Sequence, residues 1–414
     1  MRKGDLIAGL DAGSTKICVV VGEIKENGVD IIGIGEVPSA GIKKGVVVDI
    51  ENAAQAISKA VQEAEAMTGV EIKAVYAGIA ESRISSFLSN GVIAVKDKEI
   101  GQRDIERVMD AARAMPLPVN KEVLHVIPTG FIVDGQNGIN DPRGMTGVRL
   151  EVKVQIVTAA VTSVQNLLKS CQRAGLNVID IIFEPFASAG AVLADGEKDV
   201  GAGVVDIGGG TTGITLFCGG SLCHTSVLSI GGGNFTNDVA IGLRTQTLEA
   251  ERIKKSYGCT LMSMINPGEE IEITYAGDKP GRTVPRQHLI EILQPRSEEL
   301  FSLVKDEIRK SGYYNTLASG VVLTGGAALM NGIETIAENI LELPVRVGRP
   351  KGIAEGAGIV SSPAYAAGAG LVHYGAREIM RERSLNGENF FSFSGVAGKV
   401  NKARMWVREK LGVL

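Results

Sequence analysis

Two stretches separated by about half the chain repeat one pattern, and that repetition restricts the folds open to the sequence. Ala8-Gly9-Leu10-Asp11-Ala12-Gly13-Ser14-Thr15-Lys16 and Gly203-Val204-Val205-Asp206-Ile207-Gly208-Gly209-Gly210-Thr211 share an apolar strand, an aspartate, glycine and a hydroxyl in the same order. The first copy reads as strand, turn, strand: Leu6 to Leu10 is apolar, residues 11–15 carry turn chemistry, and Ile17 to Val21 is β-branched. Duplication on a ~200-residue scale implies two related lobes and not a solenoid. Either copy alone would be an ordinary hairpin turn.

Paired tips of this kind suit a phosphate chain. Converging backbone N–H groups bind phosphate, and glycine lets the main chain approach where a Cβ would collide. Gly13, Gly208, Gly209 and Gly210 supply that freedom, Ser14, Thr15, Thr211 and Thr212 add hydroxyl donors, and Lys16 adds a cation. Asp11 and Asp206 suit a hydrated Mg²⁺, which keeps several waters and takes few direct carboxylates. Gly325-Gly326-Ala327-Ala328, after the apolar Val321 to Thr324, permits close approach of a flat base or ribose, although Gly-Gly turns are common.

The remaining chain is expected to be a multi-lobed α/β protein. Its 414 residues exceed one ordinary core, and 44% hydrophobic with 22% charged residues is the balance of a packed protein. Aromatics are few, at 4%, and the 53 glycines favour tight turns between Val/Ile/Ala-rich elements. Asp49 is placed to cap a helix over 51–67 with Ala54, Ile57, Ala60, Val61 and Ala64 on one face. Residues 83–162 change character and read as a small separate α/β unit. A strand over 178–183 lies between two helical segments, and the Gly231-Gly232-Gly233 turn precedes a helix through 237–243. A helix over 248–257 follows. Residues 266–286 read as loop-rich, and helix signals resume over 296–311 after Pro295. The net charge of −4 gives no global attraction for nucleic acid. Five cysteines without a C-x-x-C pair point to neither a disulfide framework nor a zinc site. No apolar run approaches the ~20 residues that span a bilayer, so a chain neither secreted nor transmembrane is expected. His125, without a metal-spaced partner, reads as structural.

The three glycine motifs together resemble the phosphate-1, phosphate-2 and adenosine motifs of the actin/heat-shock-chaperone/sugar-kinase superfamily. Glu184-Pro185-Phe186-Ala187 resembles its first connecting helix, whose glutamate positions metal-bound or attacking water; a helix-start glutamate is the alternative. Residues 249–255 resemble the helix over the adenosine, making Glu251, Lys254 and Lys255 candidate ribose or base contacts; a solvated charged face is the alternative. Residues 83–162 stand where actin has a small subdomain, and within them Leu124 to Pro128 and Asn140 to Leu150 resemble the FtsA family of bacterial division proteins, as do Val204 to Thr212, Val321 to Ala328 and Gly368 to Tyr374.

That resemblance implies an actin-like duplicated ATPase fold with an inserted α/β subdomain, ATP and Mg²⁺ binding, and assembly into filaments. It also implies tethering of the tubulin-like FtsZ to the inner membrane at midcell, with at most slow hydrolysis in which Asp206 and Glu184 orient water. The expected subdomains are 1–82 with 163–198 and 361–385 (1A), 83–162 (1C, facing other division proteins), 199–242 with 312–360 (2A), and 243–311 (2B). A linker over 386–393 and a helix over 394–414 complete the chain. The FtsZ C-terminal peptide is expected on 2B, where Arg282, Arg296 and Glu299 fall at family positions linked to docking; Arg296 also fits a helix-start surface residue. A pilus-assembly ATPase or a small-molecule kinase of the same superfamily is the alternative.

The tail differs from everything before it. On a helical wheel Val396, Val400, Ala403, Val407, Leu411 and Leu414 share one face with Trp406 at its edge, while Lys399, Lys402, Arg404 and Arg408 flank it. Those four cations and Lys410, set against Glu409, give a local charge of +4 in a chain of −4. Such a helix suits an anionic membrane interface, where apolar residues dip in and basic stems snorkel. Packing on the body or on a partner is the alternative.

Overall fold

The computed structural model describes residues 6–25, 28–274, 281–352 and 358–386. The tail residues 387–414, including Val400, Trp406, Val407, Leu411, Lys399, Lys402, Arg404 and Arg408, lie outside the described residues.

Two five-stranded sheets carry the repeat. In the first, Leu6–Ala12 pairs antiparallel with Lys16–Lys25, which pairs with Gly28–Pro38; on its other side Leu6–Ala12 runs parallel to Ala74–Ile79 and then Asn177–Phe183. In the second, Ala202–Ile207 pairs antiparallel with Thr212–Cys218, which pairs with Ser221–Leu228; on its other side lie Val321–Thr324 and Val345–Val347, both parallel. The orders match strand for strand. Asp11 and Asp206 each take the last strand position but one, opposite Cys18 and Gly213.

Helices fill the space between the sheets. Glu184–Val192 and Ala366–Asn386 pack on one another, and their apolar residues share one core with Val20 and Ile31 of the first sheet and Val204 and Val322 of the second. Contact is close: a Cβ on Gly9 would lie 2.7 Å from Leu371 Cβ. On the outer face of the first sheet the helix Ile50–Thr68 starts where Asp49 accepts from the Glu51 and Asn52 N–H groups, and it buries Ala54, Ile57, Ala60, Val61 and Ala64, the face its periodicity predicts.

Residues 85–160 form a four-stranded antiparallel sheet, ordered Ser85–Ala94, Arg149–Ala160, Lys121–Val133, Gln136–Ile139, with the helix Gln102–Arg113 on one face. Its core is separate, built on Ile100, Val108, Leu150, Val152 and Val154. Buried Glu81 ties this unit to the first lobe, accepting from Ala160 N–H at 3.2 Å, Ser163 Oγ at 2.8 Å and Arg83 Nε at 2.9 Å.

Two sequence expectations fail in this region. Residues 266–286 are not simply loop: Glu270–Ile273 pairs antiparallel with Arg282–Pro285, and a 25-residue helix, Arg286–Lys310, follows at once. Pro295 lies inside that helix and does not start it. A proline there removes one backbone donor and strains one turn. The buried row Leu289, Ile290, Leu293, Ser297, Leu300, Phe301, Val304 and Ile308 runs unbroken past it, so tertiary packing outweighs the local penalty.

Candidate functional site

The two hairpin tips meet. A Cβ on Gly209 would lie 1.7 Å from Thr15 Oγ1, and one on Gly210 would lie 2.6 Å from Ser14 Oγ. Only glycine allows this approach. Ser14 Oγ also accepts from Gly45 N–H at 2.9 Å, so the segment after the third strand closes a further side of the tip. The carbonyls of Gly13 and Thr15 accept from the Ser39 hydroxyl and N–H, which fixes the first turn. In the second turn Gly208 N–H donates to the Thr211 carbonyl, while Gly232 and Gly233 N–H groups donate to Gly208 and Gly209 carbonyls. The helix Gly232–Gly242 is thereby anchored on the loop.

Three carboxyls lie beneath the tips. Asp11 is 8% exposed, and Glu184 and Asp206 are half-buried. Burial raises all three above the usual carboxylate range. The Asp11 carboxyl is pushed up to about 6, with Lys16 opposing and Asp206 adding to the rise. Glu184 is held well above its ordinary value by burial and then by the negative charges of Asp11 and Asp206. For Asp206 burial is opposed by the Ser188 hydroxyl, at 2.5 Å, and by Lys16. Ser188, four residues beyond Glu184, shares its helix face and its role could be read from that spacing; sequence reasoning missed it.

Lys16 faces this cluster but is not committed to it. Its Nζ pairs with Glu36 at 2.9 Å and lies 3.5 Å from the centroid of the Tyr365 ring. Thr212 departs from its expected role, since its fully buried hydroxyl donates to the Ile230 carbonyl at 2.7 Å and ties its strand to the segment after Ser221–Leu228. Thr211 is buried at the tip.

The adenosine-side residues also gather. A Cβ on Gly232 would lie 3.4 Å from Ala327 Cβ and 3.7 Å from Lys254 Nζ. Lys254 Nζ donates to the Gly232 carbonyl at 3.0 Å and to Thr236 Oγ1 at 2.8 Å, and pairs with Glu251 at 2.6 Å. Lys255 instead projects into solvent, 70% exposed, with Glu251 at 3.3 Å. Gly325 has φ of +85°, and a Cβ there would lie 2.4 Å from Asp206 Oδ1, so the adenosine loop reaches the carboxylates. Gly326 follows it, within 4.0 Å of Ala364 by the same construction.

Away from the cleft, Arg296 pairs with Asp238 at 2.5 Å and with Glu299 one turn along its helix. Arg282 donates to the Leu243 carbonyl at 2.6 Å. His125 is buried and accepts from Phe183 N–H at 3.0 Å, in the structural role expected of it.

The sequence model described as Cell division protein FtsA matches residues 203–370, and that described as the SHS2 domain inserted in FTSA matches residues 81–158. The cell division protein FtsA of Pseudomonas aeruginosa is 43% identical over 411 residues, covering 99% of both chains. This chain belongs to the FtsA family. Its fold is actin-like, with an SHS2 insertion. The PilM–PilN type IV pilus biogenesis complex matches at a TM-score of 0.64 with 19% identity, over 89% of this chain and 98% of that one. MreB5 of Spiroplasma citri, solved bound to ADP, matches at 0.57 with 14% identity, over 93% and 100%. At such identities the likeness concerns the fold alone. Residues 81–158 of the FtsA-family insertion coincide with the separate four-stranded unit.

The carboxyl cluster fits a hydrated divalent cation. Among the described residues no three His, Cys, Asp or Glu side chains converge to hold a metal directly. Buried acids with raised protonation are nevertheless short of positive charge, and Asp11 and Asp206 could meet it through metal-bound water.

Proposed function

We propose that this chain is an ATP-binding, actin-like division protein that polymerises on the inner face of the cytoplasmic membrane and anchors FtsZ filaments there during septum formation. The contact of Thr15 with Gly209 above Asp11, Asp206 and Glu184 carries the nucleotide part. In this reading ATP lies between the tips, its phosphates near Ser14, Thr15 and Lys16 on one side and residues 208–211 on the other, and its adenosine near Gly232, Lys254 and Gly325 to Ala327. A solved neighbour of the same fold is bound to ADP, which supports a nucleotide-binding reading.

Mg²⁺ would supply charge neutralisation for the phosphates. Asp11 and Asp206 would hold it through water, Ser188 would orient Asp206, and Glu184 would accept a hydrogen bond from the attacking water. Turnover would be slow, because burial and then the charges of Asp11 and Asp206 favour the protonated form of Glu184 and work against its acting as a base.

Membrane attachment rests on the sequence of 394–414, since no helix among the described residues is long and apolar enough to cross a membrane. Subdomain 2B, residues 243–311, would take the FtsZ C-terminal peptide through Arg282, Arg296 and Glu299, and 83–162 would face other division proteins. Membership of the FtsA family favours this reading over a pilus-assembly ATPase or a small-molecule kinase.

Cosedimentation with anionic lipid vesicles tests the whole. The full chain should pellet with vesicles and carry the FtsZ C-terminal peptide with it, more so with ATP, and a chain lacking 394–414 should stay in solution while still binding the peptide. Equal pelleting of both chains would remove the anchor.

A further inference from the structure

The hairpin that follows the second repeat's, formed by its second and third strands, carries two thiols at the end far from the glycine tip at residues 208–210. Cys218 closes the strand Thr212–Cys218, and Cys223 lies in Ser221–Leu228. The register slips between Leu216, opposite His224, and Phe217, opposite Leu222, which leaves Cys223 as an unpaired extra residue. The bulge brings the two sulfurs to 2.7 Å. Cys18, Cys171 and Cys259 are buried, whereas Cys218 is partly exposed beside Gly219, Gly220 and Ser221, which line an open cleft facing Pro128 and Phe131 of the insertion.

We propose that Cys218 and Cys223 form a reversible oxidation site at which a hydroperoxide converts the two thiols into a disulfide within the hairpin. Cys218 is the attacking group. Its contact with Cys223 draws the thiol down to about 7 despite burial, Thr316 Oγ1 lies 3.2 Å from its sulfur, and Cys223 is pushed up and keeps its proton. The thiolate, not the thiol, is the nucleophile.

The Cys218 thiolate attacks one oxygen of hydrogen peroxide, the O–O bond breaks, and the departing oxygen takes up a proton and leaves as water. Cys218 becomes a sulfenic acid. The Cys223 sulfur then attacks the Cys218 sulfur, the S–O bond breaks, and the hydroxyl leaves with the Cys223 proton as a second water. Two thiols lose two electrons and the peroxide gains two. A dithiol reductant reverses the step by exchange, which suits a reducing compartment where protein disulfides are transient. The bond would lock the Gly219-Gly220 turn, where Gly220 N–H already donates to the Lys198 carbonyl at 3.0 Å.

Both cysteines fall in one tryptic peptide, residues 199–244, because no Lys or Arg lies between Lys198 and Arg244. The full chain is exposed to graded hydrogen peroxide, alkylated and digested without reduction. The peptide should lose two hydrogens and escape alkylation, dithiothreitol should restore both thiols, and Cys18, Cys171 and Cys259 should remain reduced. In Cys223→Ser, dimedone should label Cys218 on the order of tenfold more than it labels Cys223 in Cys218→Ser. A peptide that keeps both thiols under conditions that oxidise dithiothreitol overturns the proposal, as does oxidation of the buried cysteines at the same rate.

Discussion

Ser188 Oγ donates to Asp206 Oδ2 at 2.5 Å, so a buried helix of the first lobe orients the carboxylate of the second lobe's hairpin. Ser188→Ala removes that donor. Hydrogen bonds to charged groups contribute about 1.5–3 kcal/mol, so Mg²⁺-dependent ATP affinity is expected to fall on the order of tenfold or more. The Asp206 carboxyl, losing a partner that lowers its pKa, should rise further, and the pH at which binding is half-maximal should move upward. Titration of a fluorescent ATP analogue between pH 5 and 8 measures both. An unchanged midpoint would mean that the hydroxyl does not control the charge on Asp206.

Asp11 and Glu184 set a second expectation. A carboxyl whose folded-state pKa is raised binds more protons folded than unfolded, so stability falls as pH rises from the ordinary carboxylate range through the folded value. For Asp11 that window runs from 3.8 to about 6. The protein without nucleotide should therefore be less stable at pH 7 than at pH 5.5, by about 1 kcal/mol from Asp11 alone, because most of its roughly 3 kcal/mol is already lost by pH 5.5. Asp11→Asn should remove most of that difference and raise the melting temperature at pH 7, while abolishing Mg²⁺-dependent nucleotide binding. Calorimetry across that range decides it, and a variant that melts lower at pH 7 counts against the burial argument.

What the sequence made legible was local chemistry repeated. Asp11 and Asp206 were found because both follow an apolar strand and precede glycine, and the structure gives them the same register position. Relations across long separations stayed hidden. Local chemistry assigns Lys16 to phosphate, while the fold also rests it between Glu36 and the Tyr365 ring, and nothing near residue 16 announces an aromatic at 365. Thr212 looked like a tip hydroxyl until its strand buried it against Ile230. Pro295 reads as a helix start by local rules, and only the buried row from Leu289 to Ile308 shows the helix passing through it.

Gly209 offers a steric test of the cleft. A methyl group there would overlap Thr15 Oγ1 and press on its Cβ, at 2.9 Å, so Gly209→Ala should wedge the tips apart. Nucleotide affinity should drop on the order of tenfold or more, while the melting temperature without nucleotide changes little, because the added methyl meets only Thr15 at the facing tip. Thr15→Gly, which removes the clashing atoms, should restore part of the affinity in the double variant. The coupling energy should be about 1–2 kcal/mol, in the range found for residues in contact. Additive losses would show that the tips do not touch in solution.

Arg296 raises the question of whether a residue assigned to partner docking is free to dock. Its guanidinium bonds Asp238 at 2.5 and 3.1 Å and also reaches Glu299, and the Asp238 pair is about three-quarters shielded. Arg296→Ala strands Asp238 and should destabilise the chain by about 1–2 kcal/mol, whereas Glu299→Ala, on the exposed arm, should shift stability by less than about 0.5 kcal/mol. Loss of FtsZ peptide binding in Arg296→Ala alone is therefore ambiguous, since a loosened subdomain would give the same result. The double variant Arg296→Met, Asp238→Leu separates the two effects, because replacing an ion pair by apolar residues of similar volume is often neutral for stability. If Arg296 reads the FtsZ peptide, the double variant regains its melting temperature but still binds the peptide at least about tenfold more weakly in fluorescence anisotropy. Recovery of both would make Arg296 a strut of the subdomain and return the docking role to Arg282 or to residues not yet assigned.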